Sequence, residues 1–288
     1  MKLCLGTVQL GMRYGINNQI KRQPTVNEGY QILETARRQG ITYLDTAGAY
    51  GEAESLIGKS GILNNDDMHV ITKSDVKVYS ELRSEVKKSL ERLGQTQIDG
   101  LLLHDASKYY DKLYVAELLE LKRQGLVNHI GVSVYAPRDA VRIAADGLVD
   151  YIQVPYNVFD QRLDKSHFWK LTREKGIKVF ARSSFLQGLI LMEPDRIPEK
   201  LKKAGHYIEK YRKIVHQYGY SATEAALLFA YTNENIDKVV FGVDTAGQLS
   251  ENIEIIKKAY KFKECREALT GLADELSEEI LNPGMWEV

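Results

Sequence analysis

Along the chain a short apolar run rich in β-branched residues is followed, again and again, by a longer stretch whose apolar residues fall at helical spacing. The short runs are LCLGTV from Leu3, ITYLD from Ile41, HVITK from His69, IDGLLLH from Ile98, HIGVS from His129, DYIQV from Asp150, IKVFAR from Ile177 and DKVVFG from Asp237. Between them, Leu82, Val86, Leu90 and Leu93 keep one apolar face on a helix, as do Leu249, Ile253 and Ile256. Leu269, Leu272, Leu276 and Ile280 predict a further helix near the C-terminus.

Strands alternating with helices imply parallel strands joined by right-handed crossovers. Eight such units predict an α/β protein of the (β/α)8 TIM-barrel type, with an open doubly wound sheet as the structural rival. The 288 residues suit one such barrel, typically about 250 residues long. No linker, charge block or low-complexity stretch divides the chain, so residues 1–288 read as a single domain. The segment from Leu191 to Gly205, with Pro194 and Pro198, starts no helix cleanly and reads as an insertion after the seventh strand, lying over the barrel mouth.

Composition narrows the partners. Hydrophobic residues make up 44% and charged residues 27%, the mix of a folded globular protein. Lys plus Arg and Asp plus Glu both total 39, so no global charge draws the chain to nucleic acid or an anionic membrane, and a small molecule is the expected partner. No window approaches the roughly 20 apolar residues of a membrane span. The opening MKLCLGTVQLGMRYG is too interrupted for a signal-peptide core, and the expected location is cytoplasmic. Cys4 and Cys265 lack metal-like or redox-like spacing and read as packed thiols; no metal is expected.

In a closed parallel barrel the site forms where the strands end at their carboxyl side. There the chain places Asp45, Lys73, His104, Ser133, Gln153, Arg182 with Ser183, and Gly242, each after an apolar run. Singly, each has an ordinary reading: Asp45 caps the turn DTAGAYG, Lys73 is a solvated strand-end lysine, His104 a satisfied core histidine, and Tyr50 a half-buried loop aromatic among 17 tyrosines. Together they describe chemistry. An ammonium beside a phenol stabilises the phenolate, an aspartate keeps that ammonium charged, and a nearby histidine orients a carbonyl oxygen or joins a proton relay. Such a set stabilises negative charge developing on a carbonyl oxygen, as hydride addition requires. None of these groups is a hydride source, so a cofactor is implied.

GITYLDTAGAYGEAESLIG, the ITK ending at Lys73, LLLHD around His104, IGVS ending at Ser133, QVPYN from Gln153 and FGVDTAGQLSEN resemble, in order, the signatures of the aldo-keto reductases. The resemblance implies catalytic roles for Asp45, Tyr50, Lys73 and His104, with Tyr50 as general acid, Lys73 and Asp45 its electrostatic partners and His104 the orienting residue. It implies that Ser133 and Gln153 hold a nicotinamide carboxamide, that Ser183, Phe185, Gln187 and Gly188 wrap the pyrophosphate, and that Gln248 and Asn252 hold the adenosine end. Gly6, Thr7, Asp45, Arg182 and Gly242 complete the implied cofactor cleft. The substrate is then a small-molecule aldehyde or ketone.

Three departures from the family pattern carry weight. Val134 follows Ser133 where many members have asparagine. Arg182 stands where an aromatic commonly stacks on the nicotinamide; a planar guanidinium also stacks, but its charge disfavours the oxidised, cationic ring. The resemblance implies NADPH, the family's usual cofactor, yet GVDTAGQ (Gly242 to Gln248) holds no lysine or arginine and carries Asp244, which could accept from a ribose hydroxyl and leaves NADH as the alternative.

Other motifs fall short. GKS at Gly58 has the wrong glycine spacing for a phosphate loop and closes a helix, and GVSVY lacks the second glycine of a nucleophile elbow. The rival readings are oxidation of an aldose to a lactone by the same residues, and a cofactor-binding regulatory subunit with slow turnover. The sequence also resembles members linked to bacterial surface-polysaccharide synthesis, which implies a sugar or nucleotide-sugar carbonyl. Tyr109, Tyr110, Tyr114, Tyr135, Tyr156 and Trp286 are either sugar-stacking surfaces or helix-packing aromatics.

Overall fold

The computed structural model describes residues 1–18 and 20–286. Eight strands, β1 (Leu3–Gly6), β2 (Tyr43–Asp45), β3 (His69–Ser74), β4 (Ile98–Leu103), β5 (Val127–Ser133), β6 (Tyr151–Pro155), β7 (Lys178–Arg182) and β8 (Lys238–Gly242), close into a barrel in sequence order. All neighbours are parallel, and β8 returns to β1 with Gly242 opposite Gly6. The architecture is the (β/α)8 TIM barrel, and the open sheet is excluded by that last pairing.

The helices are α1 (Val8–Gly11), α2 (Val26–Arg38), α3 (Ala53–Ser60), α4 (Leu82–Leu93), α5 (Lys112–Arg123), α6 (Pro137–Asp146), α7 (Phe168–Lys175), α8 (Ala204–Gln217), α9 (Ala222–Tyr231), α10 (Ala246–Ile256), α11 (Lys263–Ala268) and α12 (Glu278–Leu281). Local chemistry fixes where several begin. Thr25 with Glu28 and Ser221 with Glu224 form reciprocal capping boxes at the starts of α2 and α9, each satisfying two backbone N–H groups that a helix end otherwise leaves without partners. In α4, Leu82, Val86, Leu90 and Leu93 are all buried against the barrel, as their spacing predicts. Among the described residues, no helix is long and apolar enough to cross a membrane.

Two expectations need correction. Leu269, Leu272, Leu276 and Ile280 are buried, but the first three lie on turns between α11 and α12 and Ile280 lies within α12, rather than all on one helix. Gly271 at φ +71 breaks the run, so a chain draped over a core has imitated helical spacing. The segment from Leu191 to Gly205 folds as short 3-10 turns (Pro194–Arg196, Glu199–Leu201), but only Leu191 of it lines the mouth. The preceding Ser183, Ser184, Phe185, Gln187 and Gly188 line it instead.

Strand side chains alternate between the helix layer and the barrel interior. The interior cluster is Cys4, Ile71, Leu102, Tyr151, Phe180 and Val240, with Tyr43 packed against it. Two residues further along each strand, on the same side and nearer its carboxyl end, stand Gly6, Lys73, His104, Gln153, Arg182, Gly242 and Asp45. The apolar layer is thus the floor of the polar one.

Candidate active site

Asp45 ends β2, and both its carboxylate oxygens are engaged. Oδ2 accepts from Lys73 Nζ at 2.7 Å and Oδ1 accepts from Gln153 Nε2 at 2.7 Å. Lys73, almost fully buried, also donates to the carbonyl of Thr46 at 2.9 Å and to the Tyr50 hydroxyl at 3.5 Å. Burial opposes its charge, but Asp45 and Tyr50 outweigh that effect and hold the ammonium above its ordinary value. His104 turns its ring edge-on to Tyr50, with centroids 5.9 Å apart. Burial, then the Lys73 charge, pushes the imidazole down to about 4, so it is neutral at physiological pH.

Tyr50 lies on the turn between β2 and α3, and neighbouring backbone holds that turn in place. A β-carbon on Gly11 would come within 1.6 Å of the Tyr50 carbonyl oxygen, and one on Gly51 within 2.4 Å of the Gly11 carbonyl oxygen. Only residues without side chains permit this approach of α1 to the Tyr50 turn. Below it, buried Glu54 of α3 accepts from the Thr72 hydroxyl at 2.5 Å and from Arg92 Nε at 2.7 Å, tying α3 to β3 and α4. Thr72 precedes Lys73, so the same clamp fixes both partners of the Lys73–Tyr50 contact.

Asp45, Tyr50, His104, Ser133, Gln153, Arg182, Ser183, Phe185, Gln187, Gly188, Gly6, Thr7, Gly242, Gln248 and Asn252 all line one cavity of about 520 Å³. Lys73 sits beneath the lining and reaches it through Tyr50. Thr7 donates its hydroxyl to the carbonyl of Asp45 at 3.0 Å, which joins the ends of β1 and β2. Gly242 leaves room for the Gln9 side chain, whose oxygen would stand 2.2 Å from an added β-carbon. Sequence reasoning missed Gln9, Tyr14, Asn18, Thr223 and Glu251, which also line the cavity. Burial pushes the phenol of Tyr14 well above its ordinary range, so it is a poor proton donor.

Over the cavity, the segment after β1 is fastened to the segment after β7. Ile16 donates its backbone N–H to the carbonyl of Gln187 at 3.1 Å, Gln187 Nε2 donates to the Tyr14 hydroxyl at 3.0 Å, and Asn18 Nδ2 donates to Asp244 at 3.2 Å. Ser183, Leu186, Gln187 and Gly188 all have positive φ. Such backbone is costly for residues with a side chain and concentrates in ligand clamps.

Of the six aromatics considered as sugar surfaces, only Tyr135 lines the cavity. Tyr109, Tyr114 and Tyr156 are buried in the packing, Tyr110 donates to Asp139, and Trp286 donates to the carbonyls of Glu279 and Ile280.

The residues present fit a nicotinamide dinucleotide. Buried polar atoms normally have partners, yet Gln153 Oε1, Ser184 Oγ and Gln9 Oε1, all on residues of the cavity wall, have none within the protein. Because Gln153 spends its N–H on Asp45, it presents an acceptor beside Ser133, to which it is paired in the β5–β6 register. An acceptor and a hydroxyl together match a carboxamide.

A closed barrel whose strand ends gather a carboxylate, ammonium, phenol and imidazole is the framework of a carbonyl oxidoreductase. The sequence model of the aldo/keto reductase family matches residues 2–269, and the chain belongs to that family. It is 27% identical to the uncharacterized oxidoreductase YqkF of Bacillus subtilis (79% of this chain, 82% of that one) and 26% identical to the NADH-specific methylglyoxal reductase of Escherichia coli (88% of each). The holo form of aldo-keto reductase AKR11C1 from Bacillus halodurans superposes with a TM-score of 0.77 at 21% identity, covering 94% of this chain and 92% of that one. The protein is an NAD(P)H-dependent enzyme of carbonyl reduction.

Proposed function

We propose that the protein reduces an aldehyde or ketone to the alcohol with Tyr50 as general acid, and that its cofactor is NADH. The observation that carries the reading is the buried Lys73 ammonium, 2.7 Å from Asp45 and 3.5 Å from the Tyr50 hydroxyl. Ser133 and Gln153 would hold the carboxamide, residues 183–188 the pyrophosphate, and Gln248 and Asn252 the adenosine; when bound, the dinucleotide supplies the hydride.

The protein's own groups manage the proton and the charge. Tyr50 donates its proton to the carbonyl oxygen as negative charge develops there, and Lys73 stabilises the phenolate left behind. Asp45 keeps Lys73 charged and in place. His104, neutral at working pH, offers the same oxygen a hydrogen bond without adding a second cation. The same residues run in reverse for oxidation of an aldose. The placement of the aromatics gives little support to a bare sugar platform, since Tyr135 stands alone of the six.

NADH is favoured by the far end of the cavity, where Asn18, Asp244, Gln248, Glu251 and Asn252 offer acceptors and amides. Arg182 is the only lysine or arginine among the described lining residues, and it stands beside Val134 and Tyr135, so no described lining residue next to Asp244 neutralises a 2′-phosphate.

Oxidation of NADH by a panel of aldehydes, followed at 340 nm, tests the reading. Tyr50→Phe should lower kcat by about 10²–10⁴-fold, the range for a general acid, while dinucleotide affinity measured by fluorescence stays close to native. An undiminished rate in Tyr50→Phe rejects Tyr50 as the acid, and absence of turnover in the native protein favours a regulatory, cofactor-binding role.

A further inference from the structure

Arg182 ends β7 and faces the reacting end of the cavity. Its Nη2 donates to the carbonyl of Val134 and its Nη1 to the Ser183 hydroxyl, both at 3.2 Å, and its guanidinium lies 3.9 Å from the ring centroid of Tyr135. Those contacts hold the group over Tyr135 and against the end of β5. They occupy two of its five N–H donors, and both acceptors are neutral. Among the described residues it has no carboxylate partner. By contrast, Arg92, Arg162 and Arg212 each hold an acid at 2.7–2.8 Å.

The charge balance of the site sharpens the point. Asp45 compensates Lys73 beneath the lining, and His104 is held neutral. The guanidinium is therefore the uncompensated positive charge among the described residues of the cavity that Tyr50 and His104 also line. A half-buried guanidinium without an acid partner is costly to keep, and its planar fork matches carboxylate and phosphate oxygens two at a time.

We propose that Arg182 is a specificity-determining residue that receives an oxyanion carried by the substrate, so that the enzyme prefers carbonyl compounds bearing a carboxylate or phosphate over their neutral counterparts. The proposal rests on the reductase reading above and adds the substrate class. Tyr135 and the carbonyl of Val134 orient the fork, while the carbonyl of the bound substrate meets Tyr50 and His104.

Matched substrates test it. With NADH, kcat/KM is measured for succinic semialdehyde against butanal, and for glyceraldehyde 3-phosphate against glyceraldehyde, in the native protein, in Arg182→Gln and in Arg182→Lys. The charged member of at least one pair should be favoured by roughly tenfold to a hundredfold, as for a charge-assisted hydrogen-bonded pair. The pair showing it distinguishes carboxylate from phosphate. In Arg182→Gln the ratio should fall toward one, chiefly through KM for the charged member, and Arg182→Lys should retain part of it. Because the ratio is taken within each variant, a general loss of folding or of dinucleotide binding cancels. A ratio near one in the native protein overturns the proposal. So does a ratio that survives in Arg182→Gln, which would assign the discrimination to another group. Turnover of the neutral member that requires Tyr50 leaves the reductase reading standing when this one fails; no turnover of any member removes both.

Discussion

The side-chain amide of Gln153 on β6 crosses the barrel mouth and donates to the carboxylate of Asp45 on β2 at 2.7 Å. The bond fixes which end of the amide faces the cavity and supplies Asp45 with its second partner. Gln153→Leu should lower unfolding free energy by about 1–3 kcal/mol, the cost of leaving a buried acceptor without a donor, as read from urea denaturation. It should also weaken NADH binding about tenfold, the worth of one hydrogen bond of that strength. Native affinity in the variant would count against a carboxamide contact at this residue.

His104 gives the stability of the protein a pH dependence of definite sign. Its native imidazole titrates at about 4, below the ordinary value of 6.5. Between those two values the unfolded chain binds a proton that the native state refuses, so acid favours unfolding. Stability should therefore be full above about pH 6.5 and fall as the pH drops toward 4, by up to about 3 kcal/mol at 1.36 kcal/mol per pH unit. Urea midpoints at pH 7 and pH 4.5 should differ less in His104→Leu than in the native protein. An equal difference in both would assign the acid sensitivity elsewhere.

Asp244 lies at the cavity end where the adenosine would rest and accepts from Asn18. The native enzyme should use NADH at least about tenfold better than NADPH, because a carboxylate repels a phosphate beside it and, among the described residues lining that end, none is a lysine or arginine. Asp244→Ser should narrow that preference, measured as the ratio of kcat/KM values. A native preference for NADPH would refute the assignment.

The Arg182 charge also bears on the redox state of the cofactor that the protein holds. A nicotinamide carries a positive charge only when oxidised, so NADH should bind several-fold more tightly than NAD+, and Arg182→Gln should bring the two closer. Calorimetric titration of both forms decides the matter; comparable native affinities would speak against it.

Much of this was legible because a barrel strand has a period of two and a polarity. Once Ile71, Leu102, Tyr151 and Phe180 are recognised as interior, Lys73, His104, Gln153 and Arg182 follow on the same face, one step nearer the mouth. Gln9, Tyr14 and Asn18 escaped notice because they lie on the turns and short helix between β1 and α2, where no strand register orders the side chains. The C-terminal leucines misled for a different reason. One inward residue in every three or four is what a helix shows, but consecutive turns laid over a core show it as well. Tyr109, Tyr114 and Tyr156 stay open between packing and a sugar surface in the sequence, because composition says nothing about which side of a strand or helix an aromatic occupies; the structure packs them.

The contact between Gly11 and Gly51 constrains how such a scaffold diversifies. Any side chain at either position would push Tyr50 off its mark, so its placement is locked by two positions where nothing fits. Arg182 and Tyr135 approach the cavity from separate strand ends and share no such constraint. A substitution at Arg182 or Tyr135 therefore leaves the Tyr50 turn where it is, whereas one at Gly11 or Gly51 does not.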